Sequence, residues 1–212
     1  MKRKYIIWLV FLLVFFIFLI ASFNDVFEVV VKNHSRYQWF VVGGILMVLL
    51  CHIFRGNRDI IITAHHEVAH FIASLFTGKE IYQMKIGKQE GSVVSGGNKF
   101  MVEMVALAPY CLPIYAYAIM LFGSAWARDM LWLYSLLLGM CYTCHLISIK
   151  KDFHSLKMMG RHQDDINRYP LIFSYTYILC FWLFNTYIVL ISVRSDVFKA
   201  FKFMFDCLVD LF

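Results

Sequence analysis

The sequence is poor in charged residues and contains very little proline. Of its 212 residues, 16% are Asp, Glu, Lys or Arg, 3 are Pro, and 61% are hydrophobic. A soluble domain carries about 25% charged and about 45–50% apolar residues, so this composition excludes an ordinary soluble globular protein. The formal net charge of +6 does not indicate a nucleic-acid-binding protein, because no basic patch with interleaved aromatic residues is present. We expect no nucleic-acid partner.

A disulfide framework is also unexpected, since all six cysteines lie in apolar segments, where a free thiol behaves as a small hydrophobe. What the chain has instead is long apolar runs, each close to the length that crosses a bilayer. Together with the motif helix described below, they predict an all-α polytopic membrane protein with about six membrane helices, spanning residues 5–23, 37–54, 59–77, 101–123, 129–149 and 171–193. The basic first residues predict a retained signal anchor that starts in the cytoplasm, and we expect the cytoplasmic membrane as the location.

The segments between these runs carry the remaining organisation. Residues 24–36 form a polar connection, and the alternation of residues 81–87 with the glycine-bracketed run 91–97 predicts a short β-hairpin after the motif helix. Pro109 and Pro113 predict a broken helix. Ser195 is expected to cap an amphipathic C-terminal helix that lies in the membrane interface. We divide the single domain into three parts: two N-terminal membrane helices (residues 1–58), a core that begins with the motif helix (59–170), and the last span with the C-terminal helix (171–212).

The most informative motif is His66-Glu67-Val68-Ala69-His70, which lies in an apolar stretch. Two histidines four residues apart project from one helix face and can bind one metal ion. Glu67 lies about 100° further round the helix, where it can reach a water molecule on that ion. We expect Asp59 to cap this helix and Gly78 to end it. His65 points away from the shared face, and we expect it to be a supporting or capping residue.

With the hairpin at residues 91–97 and the run Ala106-Leu107-Ala108-Pro109-Tyr110-Cys111-Leu112-Pro113, the motif resembles the site-2-protease-type family of intramembrane zinc metallopeptidases over about residues 60–166. The resemblance implies one Zn²⁺ ion with His66 and His70 as ligands and Glu67 as the general base. It also implies a distant aspartate ligand and a membrane-anchored protein substrate in the lipid bilayer.

The third ligand is less clear, because the family's Asn-Pro…Asp-Gly sequence is absent. The run Gln163-Asp164-Asp165-Ile166 looks like a divergent variant of it, so Asp165 is our first candidate. Asp164 is the second candidate and Asp152 the third. If every apolar run crosses the membrane once, residues 150–170 emerge on the side of the membrane opposite to Arg55–Arg58. The acidic segment must therefore fold back, or one of the spans must be re-entrant.

Two other functions fit the same residues. A membrane zinc protease of a different family could use a glutamate as third ligand, with Glu103 in the proline helix the better candidate and Glu90 the weaker one. A non-enzymatic membrane protein of the same fold could keep the metal and bind or transport instead. Substrate choice is expected to reside in the membrane segments, the short loops or a separate regulatory membrane partner.

Overall fold

The computed structural model describes residues 3–87, 91–97, 101–123, 129–158, 164–194 and 197–209. The prediction of a helical protein with one hairpin is confirmed. In chain order the elements are α1 (Arg3–Ala21), α2 (Phe23–Lys32), α3 (His34–Ile53), α4 (Arg55–Phe76), β1 (Lys79–Ile86), β2 (Gly91–Gly97), α5 (Val102–Cys111), α6 (Ile114–Gly123), α7 (Leu131–Met158), α8 (Asp164–Asn167), α9 (Leu171–Ser192) and α10 (Val197–Val209).

Among the residues that the structure describes, four helical segments are long and apolar enough to cross a membrane. They are Arg3–Lys32, which joins α1 and α2, His34–Ile53, Leu131–Phe153 and Leu171–Ser192. The pair α5 and α6 is bent by 78° and forms either a broken span, which would make five spans, or a re-entrant loop. The expected six spans are therefore not confirmed. Within the described residues, α4 is not one of these spans, since its charged first turn and its motif residues lower its hydropathy.

The closest helix crossing joins α3 to α7 through glycine. A Cβ atom on Gly43 would lie 2.0 Å from the carbonyl oxygen of Leu136, and one on Gly139 would lie 1.9 Å from that of Phe40. Membrane helices use such small residues because lipid supplies no hydrophobic drive for association, so close backbone packing must supply the attraction. These glycines fix the position of α7, which also packs against α4.

Helix α9 forms the second packing centre and contacts α1, α2, α5 and α10. Polar side chains link it to α1: the Cys180 thiol donates to the Leu12 carbonyl at 3.4 Å, and the Tyr187 hydroxyl donates to the Leu19 carbonyl at 3.1 Å. None of the six cysteines forms a disulfide bond. By contrast, many apolar side chains on the outer faces of α1 and α3 are exposed, as expected for helices that face lipid.

Several boundaries differ from the sequence prediction. The expected polar connection at 24–36 is largely helical, because Val26 and Val29 recur at helical spacing and are buried. Asp59 does not cap α4, which begins one turn earlier at Arg55. Gly78 follows the helix with φ of +66°, a left-handed conformation that glycine adopts without steric cost, so the predicted helix end is confirmed. Ser195 lies outside the described residues.

The hairpin follows the prediction, and of the two prolines predicted to break the helix, Pro113 does so, whereas Pro109 lies inside α5. Strands β1 and β2 are antiparallel, with Lys79 paired to Gly97 and Ile86 to Gly91. Pro113 lies between α5 and α6, where its missing N–H and its ring interrupt the helix. Helix α7 is longer than expected, because it continues to Met158 through part of the polar segment. The chain then returns through α8, which packs against α5 and α9.

Candidate metal centre

The two histidines of the motif lie side by side on α4. The ring centroids of His66 and His70 are 4.9 Å apart, as expected from their i, i+4 spacing. Their side chains are 18% and 13% exposed. The pair is therefore enclosed by the fold and still open on one side.

Each histidine is oriented by a hydrogen bond at its Nδ1 atom. His70 Nδ1 donates to the carbonyl oxygen of Val105 on α5 at 2.8 Å. His66 Nδ1 lies 3.0 Å from Asp152 Oδ2 on α7, where a carboxylate accepts the N–H bond. With the proton held at Nδ1, the Nε2 lone pair of a neutral ring is available to a metal. Two different helices thus set the tautomer that metal binding requires.

Asp165 joins the two histidines from α8. Its Oδ2 atom lies 3.3 Å from His70 Nε2, and the three donor atoms of His66, His70 and Asp165 all lie within 4.8 Å of one another. Burial acts to raise the pKa of Asp165, but when the imidazoles are protonated, the hydrogen bond from His70 Nε2 and the positive charges of His70, His66 and Arg168 outweigh it and lower the pKa. A metal ion would replace those protons at the Nε2 atoms and supply the positive charge in their place. The carboxylate is therefore held ionised, as a ligand must be.

The donor set has the composition of a tetrahedral cation site, and one pair of its donor atoms has the matching separation. Ligand atoms bound at about 2.0–2.1 Å to one tetrahedral ion lie about 3.3 Å apart, which is the separation found between His70 Nε2 and Asp165 Oδ2. Two imidazole nitrogens and one carboxylate oxygen are ordinary ligands of such an ion, and three protein ligands leave one position for solvent. The side chain of Asp165 is 31% exposed, which leaves that side of the group open to solvent.

Glu67 is more deeply buried than the three candidate ligands. It is 6% exposed and lies within electrostatic range of His66, His70 and Asp165. A Cβ atom on Gly91 would lie 2.4 Å from Glu67 Cγ and 2.6 Å from Glu67 Oε1. The start of β2 therefore covers the Glu67 side chain, and the absence of a side chain at residue 91 leaves it room.

The other acidic candidates from the sequence occupy different positions. Asp152, the third candidate ligand, contacts His66 Nδ1 and does not belong to the donor group of His66, His70 and Asp165. Glu103 does not approach the histidines as a ligand: its Oε1 atom pairs with Lys4 Nζ at 2.6 Å, because α1 brings that lysine to α5. The side chain of Asp164 and all of Glu90 lie outside the described residues.

Sequence reasoning missed three contacts of the site. It did not identify the Val105 carbonyl or the role of Asp152 as the partner of His66. It also missed the Tyr110 ring, which stands edge-on to His66 at 5.7 Å between centroids. Tyr110 lies in the run of residues 106–113 that carried the resemblance, so this run was the feature of the sequence that could have indicated Tyr110 as part of the site. A backbone carbonyl leaves no such signal in a sequence.

No protein-family model, characterised protein or solved structure matches this chain.

Proposed function

We propose that the chain is an intramembrane zinc metalloendopeptidase that hydrolyses peptide bonds of membrane-anchored proteins. The observation that carries this proposal is the donor group of His66, His70 and Asp165 beside the buried carboxylate of Glu67, within a bundle of apolar helices. A metal site that only stabilises a fold is usually closed by four protein ligands, whereas a hydrolytic site keeps a position open. Three donors with an adjacent base match the arrangement of a hydrolytic site.

His66, His70 and Asp165 would hold the ion through two nitrogens and one oxygen. Zinc bound there would acidify a water molecule and polarise the scissile carbonyl. Glu67 would accept the proton of the attacking water and later deliver it to the leaving amine. The enclosure of Glu67 under β2 keeps this carboxylate in one place, which reduces the reorganisation needed at each proton transfer.

The hairpin would also hold the substrate. A membrane helix must be locally extended before its peptide bonds can be attacked, and an outer edge of the two-stranded sheet can pair with an extended segment. Because β2 lies over Glu67, a strand added to this sheet would pass close to the site. Deletion of residues 91–97 should abolish cleavage, and unchanged cleavage would disprove this role of the hairpin.

We also propose that α4 is the sixth helix at membrane depth, in the cytoplasmic membrane. It contacts α5, α6 and α7 as well as both strands, so its polar motif faces protein more than lipid. Intramembrane carboxylates and histidines are tolerated in such positions because neighbouring groups pair with them.

The decisive experiment compares purified wild type with Glu67→Gln and Asp165→Asn on a membrane-anchored reporter protein in liposomes. We expect Glu67→Gln to lose at least about 100-fold in cleavage rate and to keep its zinc. Asp165→Asn should lose both zinc and cleavage. The control is Asp59→Asn, which removes a carboxylate of the same helix that pairs with Lys151 at 3.3 Å.

Three outcomes would contradict the proposal. Zinc binding by wild type without cleavage of any membrane-anchored reporter would favour the non-enzymatic membrane protein. Cleavage that persists in Glu67→Gln would remove the assigned base. Retention of zinc in Asp165→Asn with loss in Glu103→Gln would favour the protease with a glutamate ligand, although Glu103 pairs with Lys4 in this structure.

A further inference from the structure

A second histidine pair lies on the side of α4 that faces α7. His65 and His145 are both fully buried, and their ring centroids are 5.1 Å apart with an interplanar angle of 44°. Tyr115 stands edge-on against His65, also at 5.1 Å. The mechanism proposed above uses neither histidine.

The ring nitrogens of this pair have no hydrogen-bond partner among the described residues. This holds for Nδ1 and Nε2 of both His65 and His145, and also for the hydroxyl of Ser148, one turn further along α7. Each neutral imidazole offers one donor and one acceptor, and burying these without partners is unfavourable. No N–H···N bond joins the two rings, so the pair does not satisfy itself.

The spacing of the rings allows both imidazoles to bind one ion. Two histidines bound to the same tetrahedral cation hold their ring centroids about 5 Å apart, given metal–nitrogen bonds of about 2.0–2.1 Å. The pair in the candidate metal centre, His66 and His70, has a separation of 4.9 Å, and His65 and His145 have 5.1 Å. Adjacent residues of α4 therefore place matched imidazole pairs on two sides of one helix.

We propose that His65 and His145 bind a second metal ion, of the d-block class that prefers nitrogen ligands, such as Zn²⁺ or Cu⁺. Cys141 precedes His145 by one helical turn on α7, so both side chains lie on the same side of that helix. The described residues contain one group of three converging donors, and it lies at the first site. Cys141, on that side of α7, is the candidate for a third ligand, and a thiolate there would offset the charge of the cation.

This ion would tie α4 to α7 behind the first site. Helix α7 also carries Asp152, the partner of His66, so a link between the two helices would fix the distance on which that hydrogen bond depends. The inference concerns separate residues and does not require that the chain be a peptidase.

The test measures metal bound per protein. Full-length protein in detergent micelles is stripped with a chelator, loaded separately with Zn²⁺ and with Cu⁺, and analysed by elemental mass spectrometry. We expect about two equivalents in wild type and about one in the double variant His66→Ala/His70→Ala. Adding His145→Gln to that double variant should remove the remaining equivalent. His34→Ala is the control, because this histidine is exposed, and it should leave the content unchanged.

X-ray absorption on the loaded double variant provides a readout that needs no further substitution, so it decides the question even if the His145→Gln protein does not fold. Two imidazole ligands are expected in that spectrum. The proposal is overturned if the double variant holds neither metal, if its metal survives His145→Gln, or if its spectrum contains no imidazole ligand. If instead His66 and His70 do not bind a metal, the double variant and wild type will contain the same amount of metal.

Discussion

Replacing Asp152 by Asn should weaken zinc binding without removing a ligand. The carboxylate lies 3.0 Å from His66 Nδ1, and the two side chains are 22% and 18% exposed. A hydrogen bond with a charged partner contributes about 1.5–3 kcal/mol. Partial exposure places this contact near the lower end, and about 1.4 kcal/mol corresponds to tenfold in affinity. Loss of such outer partners typically costs about 10–100-fold in metal affinity. We therefore expect about a 10–30-fold increase in the zinc dissociation constant.

The assay is competition between the purified protein and a chromogenic zinc chelator in detergent. Asp59→Asn is the matched control, because Asp59 also links α4 to α7, through Lys151, without contacting a histidine. Its dissociation constant should stay within about twofold of wild type, since exposed ion pairs contribute little. An unchanged constant in Asp152→Asn would refute the orienting role. A loss as complete as that of Asp165→Asn would make Asp152 a direct ligand.

Three further substitutions test separate parts of the structure. Gly91→Val should reduce cleavage by about 10–100-fold with zinc content unchanged, because the new side chain displaces Glu67 and small misplacements of a catalytic group are costly. Gly139→Ala should destabilise the fold by about 1–3 kcal/mol, measured by unfolding in detergent, because its Cβ atom would overlap the backbone of Phe40. Glu103→Gln should leave the zinc content unchanged, because Glu103 lies outside the donor group.

Each of the two glycine substitutions has a matched control within the chain. Gly96→Ala contacts the ring of Tyr82, an exposed side chain that can move, so cleavage should be nearly normal. A Cβ atom on Gly44 would lie 2.8 Å from the Thr143 hydroxyl and 4.0 Å from the Gly139 carbonyl oxygen, an ordinary contact distance, so Gly44→Ala should destabilise less than Gly139→Ala. Equal effects within either pair would contradict the packing argument. Loss of zinc in Glu103→Gln would contradict the assigned donor group.

The parts of the site that could be predicted are those set by local geometry. The spacing of His66 and His70 places both rings on one face of any α-helix. Gly78 was recognisable as a helix end, and Pro113 as a break, because each acts through its own backbone conformation. The hairpin at residues 79–97 followed from alternation and glycine brackets, which also act over a few residues.

The parts that could not be predicted depend on distant elements. The segment at 24–36 was taken as a connection because it is polar, but burial of Val26 and Val29 stabilises a helix there. Spacing alone does not rank Asp152 and Asp165, since both follow the motif by more than 80 residues. The resemblance of residues 163–166 to a family variant is what favours Asp165. The roles of both aspartates depend on how far α7 extends and on where α8 returns, and neither quantity is set by nearby residues.

By itself, the sequence determined a helix that carries two histidines and a glutamate in a largely apolar chain, because 3.6 residues per turn and the cost of exposing polar groups to lipid act on any such segment. Only the tertiary structure decided that Asp165 contacts His70 and that Asp152 contacts His66. It also decided that His65 packs against His145. The physical reason is that these contacts join helices whose relative positions come from glycine crossings and from the bend between α5 and α6.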